Sequence, residues 1–334
     1  MTRQPWDVVP YSSQYRDAVL ALMWRVQGHQ TSVGEFIWEF EQNPTFDLNI
    51  QLAMKNGAVI GVACHSAHRM VIQGRERLVS FPLNVLTDPA FRGQGVFSTL
   101  EVAAEEHAHR AGASMMLSFP NSASTPIFTE RLGWRHIAPP RLIGRMRAPG
   151  LATSRALKRL GLAPRTQEYV LERVGSFGSW ADELWEANRE TLGWHISRSS
   201  GYLNWRFVDR PTGKYQIYVA LRDTEVTGYF VVGATVKRNI GLTYMASALA
   251  SPQAPGYFRQ QRSAVLRQSP GSLATVELDL TPTSMAMQSR DLLYGFLPVP
   301  KRLNLIYKTI GDDLSGSTIE CAPWCFQLGD LDFF

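Results

Sequence analysis

Arg92, Gly93, Gln94, Gly95, Val96, Phe97 and Ser98 stand between a β-like run and a helix-like run. Glycine lacks a Cβ and takes up left-handed backbone cheaply. Two glycines ahead of a helix therefore let successive N–H groups turn outward. The helix dipole adds partial positive charge at that end, and Arg92 adds a fixed cation. Residues of these types in this order can hold a pyrophosphate. The stretch is not a dinucleotide fingerprint, because the third glycine of G-x-G-x-x-G is missing. It is not a P-loop either, because no Gly-Lys-Ser/Thr follows.

Other side chains could move protons or hold a substrate. His65 and His68 lie in one strand, and imidazole has the pKa of a general base, although a strand histidine also serves packing. Asn84 lies in the next strand and could hold an acceptor or satisfy a bulge. Glu35, Glu39 and Glu41 share a helix and read first as solvated. His107 and His109 suit the C-terminal dipole of the cradle helix. Cys64, Cys321 and Cys325 are the only cysteines; they fit a reducing compartment, and their spacing holds no metal.

The elements that must position these residues follow from periodicity. "DVVPY" is a short strand. "SSQYRDAVLALMWRVQG" has Val19, Leu20, Met23 and Val26 at helical spacing, capped by Ser12 or Ser13 and stopped by Gly28. "GEFIWEFEQNP" is a second helix. "IQLAMKNGAVIGVACHSAH" is a hairpin turning at Lys55-Asn56-Gly57. "RERLVSFPLNVLTDP" alternates, with Val79, Phe81, Leu83 and Val85 on one face, and Pro82 argues for a bulge or lost pairing. The cradle helix presents Leu100, Ala103, Ala104 and Ala111 and stops at Gly112. Strand "SMMLSFP", helix "STPIFTERLG" and a last strand near "RLIGRM" complete an α/β pattern.

A repeat extends this pattern to the rest of the chain. At a constant offset of 167, Trp38, Phe40, Pro44, Thr45, Ala53, Val59 and Gly61 match Trp205, Phe207, Pro211, Thr212, Ala220, Val226 and Gly228. Fixed-offset similarity reads as a duplicated unit. In the second copy Phe258-Arg259 keeps the Phe-Arg of the cradle, but Gln260 and Arg262 replace both glycines. "LLYGF" at 292–296 echoes "TERLGW". Between the copies, Arg131 to Gln167 holds no acidic residue. The expected division is a first domain at 1–148 with the cradle, a basic linker at 149–166, and a second domain at 167–334 without it. The fold class is α/β, as two tandem domains, each a mixed, mostly antiparallel sheet flanked by helices.

The 334 residues and 45% hydrophobic content support a sizeable core. A net charge of +5 and a pI near 9.2 favour an anionic partner without selecting one. The N-terminal segment has no apolar run of a secretory signal, and no run is long enough to span a membrane. A cytoplasmic protein is expected. The basic linker could touch anionic lipid.

The Arg92-Gly93-Gln94-Gly95-Val96-Phe97 stretch, together with "NSASTPIFTERLGW", resembles the GNAT superfamily of coenzyme A-dependent N-acyltransferases. The combination with "W…NP" and "YLNWRF…P" looks like tandem proteins of surface-polysaccharide gene clusters. The resemblance implies an acetyl-CoA or other acyl-CoA co-substrate, no metal, and an amine acceptor of small size, such as an amino sugar. It assigns coenzyme contacts to Val85, Leu86, Thr87, Arg92, Gly93, Gln94, Gly95, Val96, Phe97, Ser98, Asn121 and Phe128. The Leu86 N–H would hydrogen-bond the acyl carbonyl. Asn84, His65 and the terminal carboxylate of Phe334 are the further catalytic candidates. Two residues depart from the family pattern. Phe97 stands where a small residue is usual, and Phe128 where a general-acid tyrosine is common. Alternatives are a non-catalytic acyl-CoA-binding or interaction protein, and a transferase using an acyl carrier or aminoacyl-tRNA. No aromatic platform for nucleic acid is evident, and a homo-oligomer is compatible with the sequence.

Overall fold

Alternating apolar residues and left-handed turns build two β-sheets. A computed structural model of the chain describes residues 5–45, 48–147, 170–237, 239–252, 275–281, 295–311 and 318–331, with isolated positions between. The first elements are β1 (Asp7–Pro10), α1 (Arg16–Gln27), α2 (Val33–Phe36), β2 (Asn49–Lys55), β3 (Ala58–Ile72), β4 (Arg75–Thr87), α3 (Val96–Arg110), β5 (Ala113–Ser118) and β6 (Arg135–Ile137). There follow β7 (Arg141–Met146), β8 (Val170–Val174), α4 (Ser179–Glu186), β9 (His195–Ile196), α5 (Ser200–Phe207), β10 (Tyr215–Arg222), β11 (Glu225–Lys237), β12 (Ile240–Ala250), β13 (Val276–Thr281), β14 (Leu297–Pro298) and β15 (Leu305–Thr309).

Two compact units result. The first comprises Met1–Met70, Arg75–Ile137 and Asn304–Glu320; the second comprises Val71–Gly74, Ala138–Leu303 and Cys321–Phe334. Sheet order in the first is β1-β2-β3-β4-β5-β15-β6, and in the second β14-β7-β13-β12-β11-β10-β8. Each sheet is mixed and mostly antiparallel, and β4–β5 and β12–β13 are parallel. The "RLIGRM" strand, expected to complete the first sheet, pairs instead with β13 and β14 in the second. Its place beside β5 is taken by β15, which pairs with β5 and β6.

The repeat is visible in the hydrogen-bond register. Ala53 pairs with Gly61, the register shifts, and Met54 pairs with Val59. At the same offset, Ala220 pairs with Gly228, the register shifts, and Leu221 pairs with Val226. A shared bulge at matched positions is a stronger sign of duplication than the matched residues alone.

In the first unit the sheet is packed on both faces. Val19, Leu22 and Met23 of α1 and Phe36 of α2 meet Ile50, Leu52, Val62 and Cys64 on one side. On the other side Val96, Leu100 and Ala104 of α3 meet Ala53, Ile60 and Ala63. Each fully buried large aliphatic side chain contributes about 1.5–3 kcal/mol relative to exposure. The α3 stripe is Val96, Leu100, Ala104 and Ala108 at helical spacing.

In the second unit two carboxylates are held by arginines in the interior. Arg198 binds Asp330 through two bonds of 2.5 and 2.6 Å, and Glu277 accepts from Arg145 at 2.6 Å and Arg147 at 3.0 Å. The Arg198 pair anchors the segment 321–331 within this unit. Phe258–Arg262 and most of the basic linker lie outside the described residues.

Candidate active site

The parallel ladder between β4 and β5 is short. Leu78 pairs with Ala113, Val79 with Met115 and Ser80 with Met116. Among the described residues the β4–β5 ladder ends at Ser80, although β4 runs on to Thr87. The Ser118 hydroxyl donates to the Pro82 carbonyl at 3.4 Å, just where the strands part. From Phe81 to Thr87 the edge of β4 that faces β5 therefore keeps backbone donors and acceptors without a strand partner.

Side-chain alternation also slips in this stretch. Leu83 and Leu86 pack with the core beneath α1, while Val85 packs with the core beneath α3. Strict alternation would put Leu83 and Val85 on the same face, as the sequence suggests. The change of phase between them is what one extra residue at Leu83–Asn84 produces, and Pro82 precedes it. Asn84 accepts from the Gln27 amide of α1 at 2.8 Å, so its oxygen is already committed.

The chain then turns through Asp88, whose carboxylate accepts from the Ala90 N–H at 3.0 Å and pairs with Arg25 at 3.1 Å. Gly93 and Gly95 follow at φ of 75° and 86°. A Cβ at either would meet nothing within 4 Å, so the space before them is open and the demand for glycine is conformational. Gly95 is the N-cap of α3 and offers no side chain to its free donors. The first intrahelical bond runs from the Thr99 N–H to the Gly95 carbonyl at 3.1 Å. The N–H groups of Val96, Phe97 and Ser98 hence have no intrahelical acceptor. No acidic residue occupies the first turn, while His107, His109 and Arg110 sit in the last. The dipole is thus compensated at its C-terminus and left open to an anion at its N-terminus. Arg92 is exposed beside this opening.

One glycine of β3 sets how close the helix comes. A Cβ on Gly61 would stand 2.6 Å from Val96 Cγ1, 3.0 Å from Leu100 Cδ1 and 3.3 Å from the Leu86 carbonyl oxygen. The end of β4 and the first turn of α3 thus converge on one bare position of the sheet. Val85, Phe91 and Val96 share the same core. The end of β4, through Val85 and Leu86, thus lies beside Val96 at the start of α3.

The two departures from the family pattern touch each other. The Phe97 and Phe128 rings are T-shaped at 5.4 Å, and Phe128 meets Trp134 at 4.8 Å. Phe97 leans on a core of Met116, Phe128, Trp134 and Ile306. Its ring is turned into the protein rather than across the open glycines. Phe128 is 3% exposed, so its side chain packs this core and offers no surface to a coenzyme. Asn121 acts as a cap. Its Oδ1 accepts from the N–H groups of Ala123 and Ser124, both at 2.9 Å.

His65 does not join the site. It is buried between Ser80, whose Oγ is 3.1 Å from Nδ1, and Glu101 of α3, whose Oε1 is 3.2 Å from Nε2. The other Glu101 oxygen is buried without a hydrogen bond. His65, a catalytic candidate from the sequence, is corrected: it lies under α3, on the sheet face that α3 covers. His68 is also buried, beside Ser66 at 3.3 Å and edge-on to Phe81 at 5.0 Å. Glu39 and Glu41 are not solvated either. Glu39 is 6% exposed. Glu41 accepts from Tyr11 at 2.7 Å and from Arg16 at 2.7 and 3.0 Å. Burial pushes its carboxyl up, but the Arg16 and Tyr11 bonds outweigh it and hold the pKa below the usual value. Phe334 lies outside the described residues.

Sequence reasoning missed Ser80 and Glu101 as the partners of His65, and it missed Asn304 altogether. Asn304 donates to the Pro120 carbonyl and to Thr125, both at 3.2 Å, steadying the turn after β5. Nothing local signals a contact of that separation. Gly61 was detectable, since it is one of the glycines that the repeat matches. Among the described residues no cluster of metal-binding side chains occurs, and no helix is long and apolar enough to cross a membrane.

Residues 7–137 match the family model described as an acetyltransferase (GNAT) domain. No curated protein matches the chain. A solved GCN5-related N-acetyltransferase from Anabaena variabilis superposes with a TM-score of 0.68 at 11% identity, over 92% of this chain and 73% of that one. A probable N-acyltransferase from Enterococcus faecalis gives 0.65 at 10% identity, over 91% and 72%. Saccharomyces cerevisiae N-myristoyltransferase, solved with bound myristoyl-CoA, gives 0.58 at 10% identity, over 92% and 83%. At such identities the likeness is one of fold. The domain match, over residues 7–137, speaks for acyl transfer by that part of the chain.

Proposed function

We propose that the first unit transfers an acyl group, acetyl in the simplest case, from acyl-CoA to an amine of a small molecule such as an amino sugar. The observation that carries this reading is the convergence of an unpaired strand edge, Phe81–Thr87, with the open, Gly95-capped start of α3. The residues suit the group. Left-handed glycines with empty space before them admit a bulky anion, and the N–H groups of Val96, Phe97 and Ser98 can receive it. Arg92 adds a cation.

A bound acyl-CoA supplies an activated thioester. The free edge of β4 offers donors to its amide-bearing arm, and the Leu86 N–H is assigned to the carbonyl oxygen that gains charge. The amine nitrogen attacks the carbonyl carbon, a C–N bond forms, and the C–S bond breaks. The amine proton passes to water and the thiolate leaves. An amine of pKa about 10 must first lose its proton, at a cost of roughly 4 kcal/mol at pH 7. A thiol of pKa about 8.5 lies only roughly 2 kcal/mol above neutrality, so a leaving-group acid is the lesser need. Phe128, buried and without a hydroxyl, fits that ordering.

A second reading, binding without transfer, draws on the same burial of Phe128 and His65, which leaves no acid or base from those positions. One titration separates the two. Acetyl-CoA and desulfo-CoA are titrated into wild type and Gly95→Glu, followed by thiol release across an amine panel. Binding by wild type and its loss in Gly95→Glu are expected, with thiol release for at least one amine. Absence of binding by wild type would reject both readings, and binding without any release would favour the second.

A further inference from the structure

Two runs of the chain contain no acidic residue, Arg131 to Gln167 and Val226 to Val276, and both carry lysines or arginines. The second unit brings parts of them together. β7 comes from the first run, and β12 with most of β11 comes from the second. Register places them on one face. Thr235 pairs with Leu242, Leu242 with Val276 and Val276 with Met146. Gly144, two residues before Met146, pairs with Leu297. Lys237 and Ile240 pair two residues beyond that row. Residues two apart along a strand share a face, so Met146, Leu297, Ile240 and Lys237 lie on the same side of this sheet.

These apolar side chains are open to water. Met146 is 45% exposed, Ile240 49% and Leu297 60%, and Val236, on the other face of the same hairpin end, is 72% exposed. Lys237, Lys301 and Arg302 are exposed as well. Glu277, the carboxylate in the adjoining part of β13, is buried and bound by Arg145 and Arg147. Burial and the charge of Lys237 hold Lys301 below the usual lysine pKa. An anionic surface would relieve that repulsion.

We propose that this end of the second sheet, with Val236 and Ile240 at its tip and Lys237, Lys301 and Arg302 around them, docks on an anionic phospholipid surface. The exposed groups are aliphatic, which suits insertion at the headgroup boundary. Stacking on unpaired bases calls for aromatic rings instead. The patch belongs to the second unit and shares no residue with the coenzyme cradle.

The full chain is co-sedimented with vesicles of phosphatidylcholine alone and of an equal mixture with phosphatidylglycerol. Sedimentation with the mixed vesicles only, weakening as salt is added, is expected. At about fivefold for each lysine near an anionic surface, Lys237→Gln with Lys301→Gln lowers partitioning about 25-fold. Val236→Ser with Ile240→Ser weakens binding and keeps its salt dependence. All four side chains are exposed, and unchanged melting curves check that the variants fold. Gly95→Glu sediments as wild type. The proposal is overturned by no sedimentation, by equal sedimentation with both vesicles, by wild-type behaviour of both paired variants, or by single-stranded RNA displacing the protein from the vesicles.

Discussion

The ring of Phe97 meets the ring of Phe128 edge to face, with centroids 5.4 Å apart. The two residues that depart from the family pattern are thus one packing unit, and each explains the other. An aromatic side chain at the start of α3 leaves the glycines unobstructed because a second aromatic receives it. Restoring a tyrosine at Phe128 should therefore restore no acid. Its hydroxyl would enter a core of Met116, Trp134 and Ile306. An unmatched buried hydroxyl costs about 1–3 kcal/mol. Phe128→Tyr is expected to melt earlier and to turn over no faster, as read by thermal unfolding and thiol release.

Gly61 offers a test of the helix placement that leaves the cradle residues untouched. Gly61→Val adds atoms where Val96 and Leu100 already stand, and such overpacking costs about 1–3 kcal/mol. Because the first turn of α3 must shift, acetyl-CoA affinity should fall along with the melting temperature. An affinity equal to wild type in isothermal titration would mean that the helix start does not hold the coenzyme.

Ser80, His65 and Glu101 tie β4, β3 and α3 together beneath the cradle. Removing one partner strands a buried polar group, whereas removing both need not. His65→Leu should lose about 1–3 kcal/mol, the cost of stranding a buried polar group, and His65→Leu with Glu101→Met should recover much of it. Denaturant unfolding of both variants checks this; equal losses would argue against the coupling.

Acid should weaken the second unit through His195. Burial lowers its pKa from 6.5 to about 4, with the Gly193 carbonyl opposing and Arg198 assisting. Trp185 donates to Nε2 at 3.1 Å and Nδ1 donates to the Gly193 carbonyl at 2.8 Å, which fixes the neutral ring. Between pH 6.5 and about 4 the unfolded chain binds the extra proton, so stability is full above that window and falls as pH drops through it. The loss amounts to about 3 kcal/mol. In His195→Asn the difference in unfolding free energy between pH 7 and pH 4 should shrink by about that much; an unchanged difference would remove His195 from the account.

The legible parts of this fold were those with local causes. Gly28, Gly57 and Gly112 adopt left-handed backbone at the turns expected of them, and the offset of 167 located a hairpin that the chain builds twice with the same bulge. The left-handed glycines ahead of α3 were legible because they follow one another in a short stretch. Other features rest on contacts between distant segments. The phase slip at Leu83–Asn84 follows from packing against two different helices. His65 was placed in the wrong environment because alternation gives the face of a strand residue but not what covers that face. Glu41 reads as solvated until Tyr11 and Arg16 come to it from another element.

The insertion of β15 between β5 and β6 governs the order in which the first sheet can be made. β6 ends at Ile137 and β15 begins at Leu305, so residues 138 to 304 leave the ribosome before the sheet can close. At roughly 5–20 residues per second this delay is roughly ten to thirty seconds. Throughout it β5 presents a bare edge, and β6 waits for β15, its strand partner. A nascent chain in this state is open to mispairing, and its rescue by chaperones would be most needed until β15 has been made.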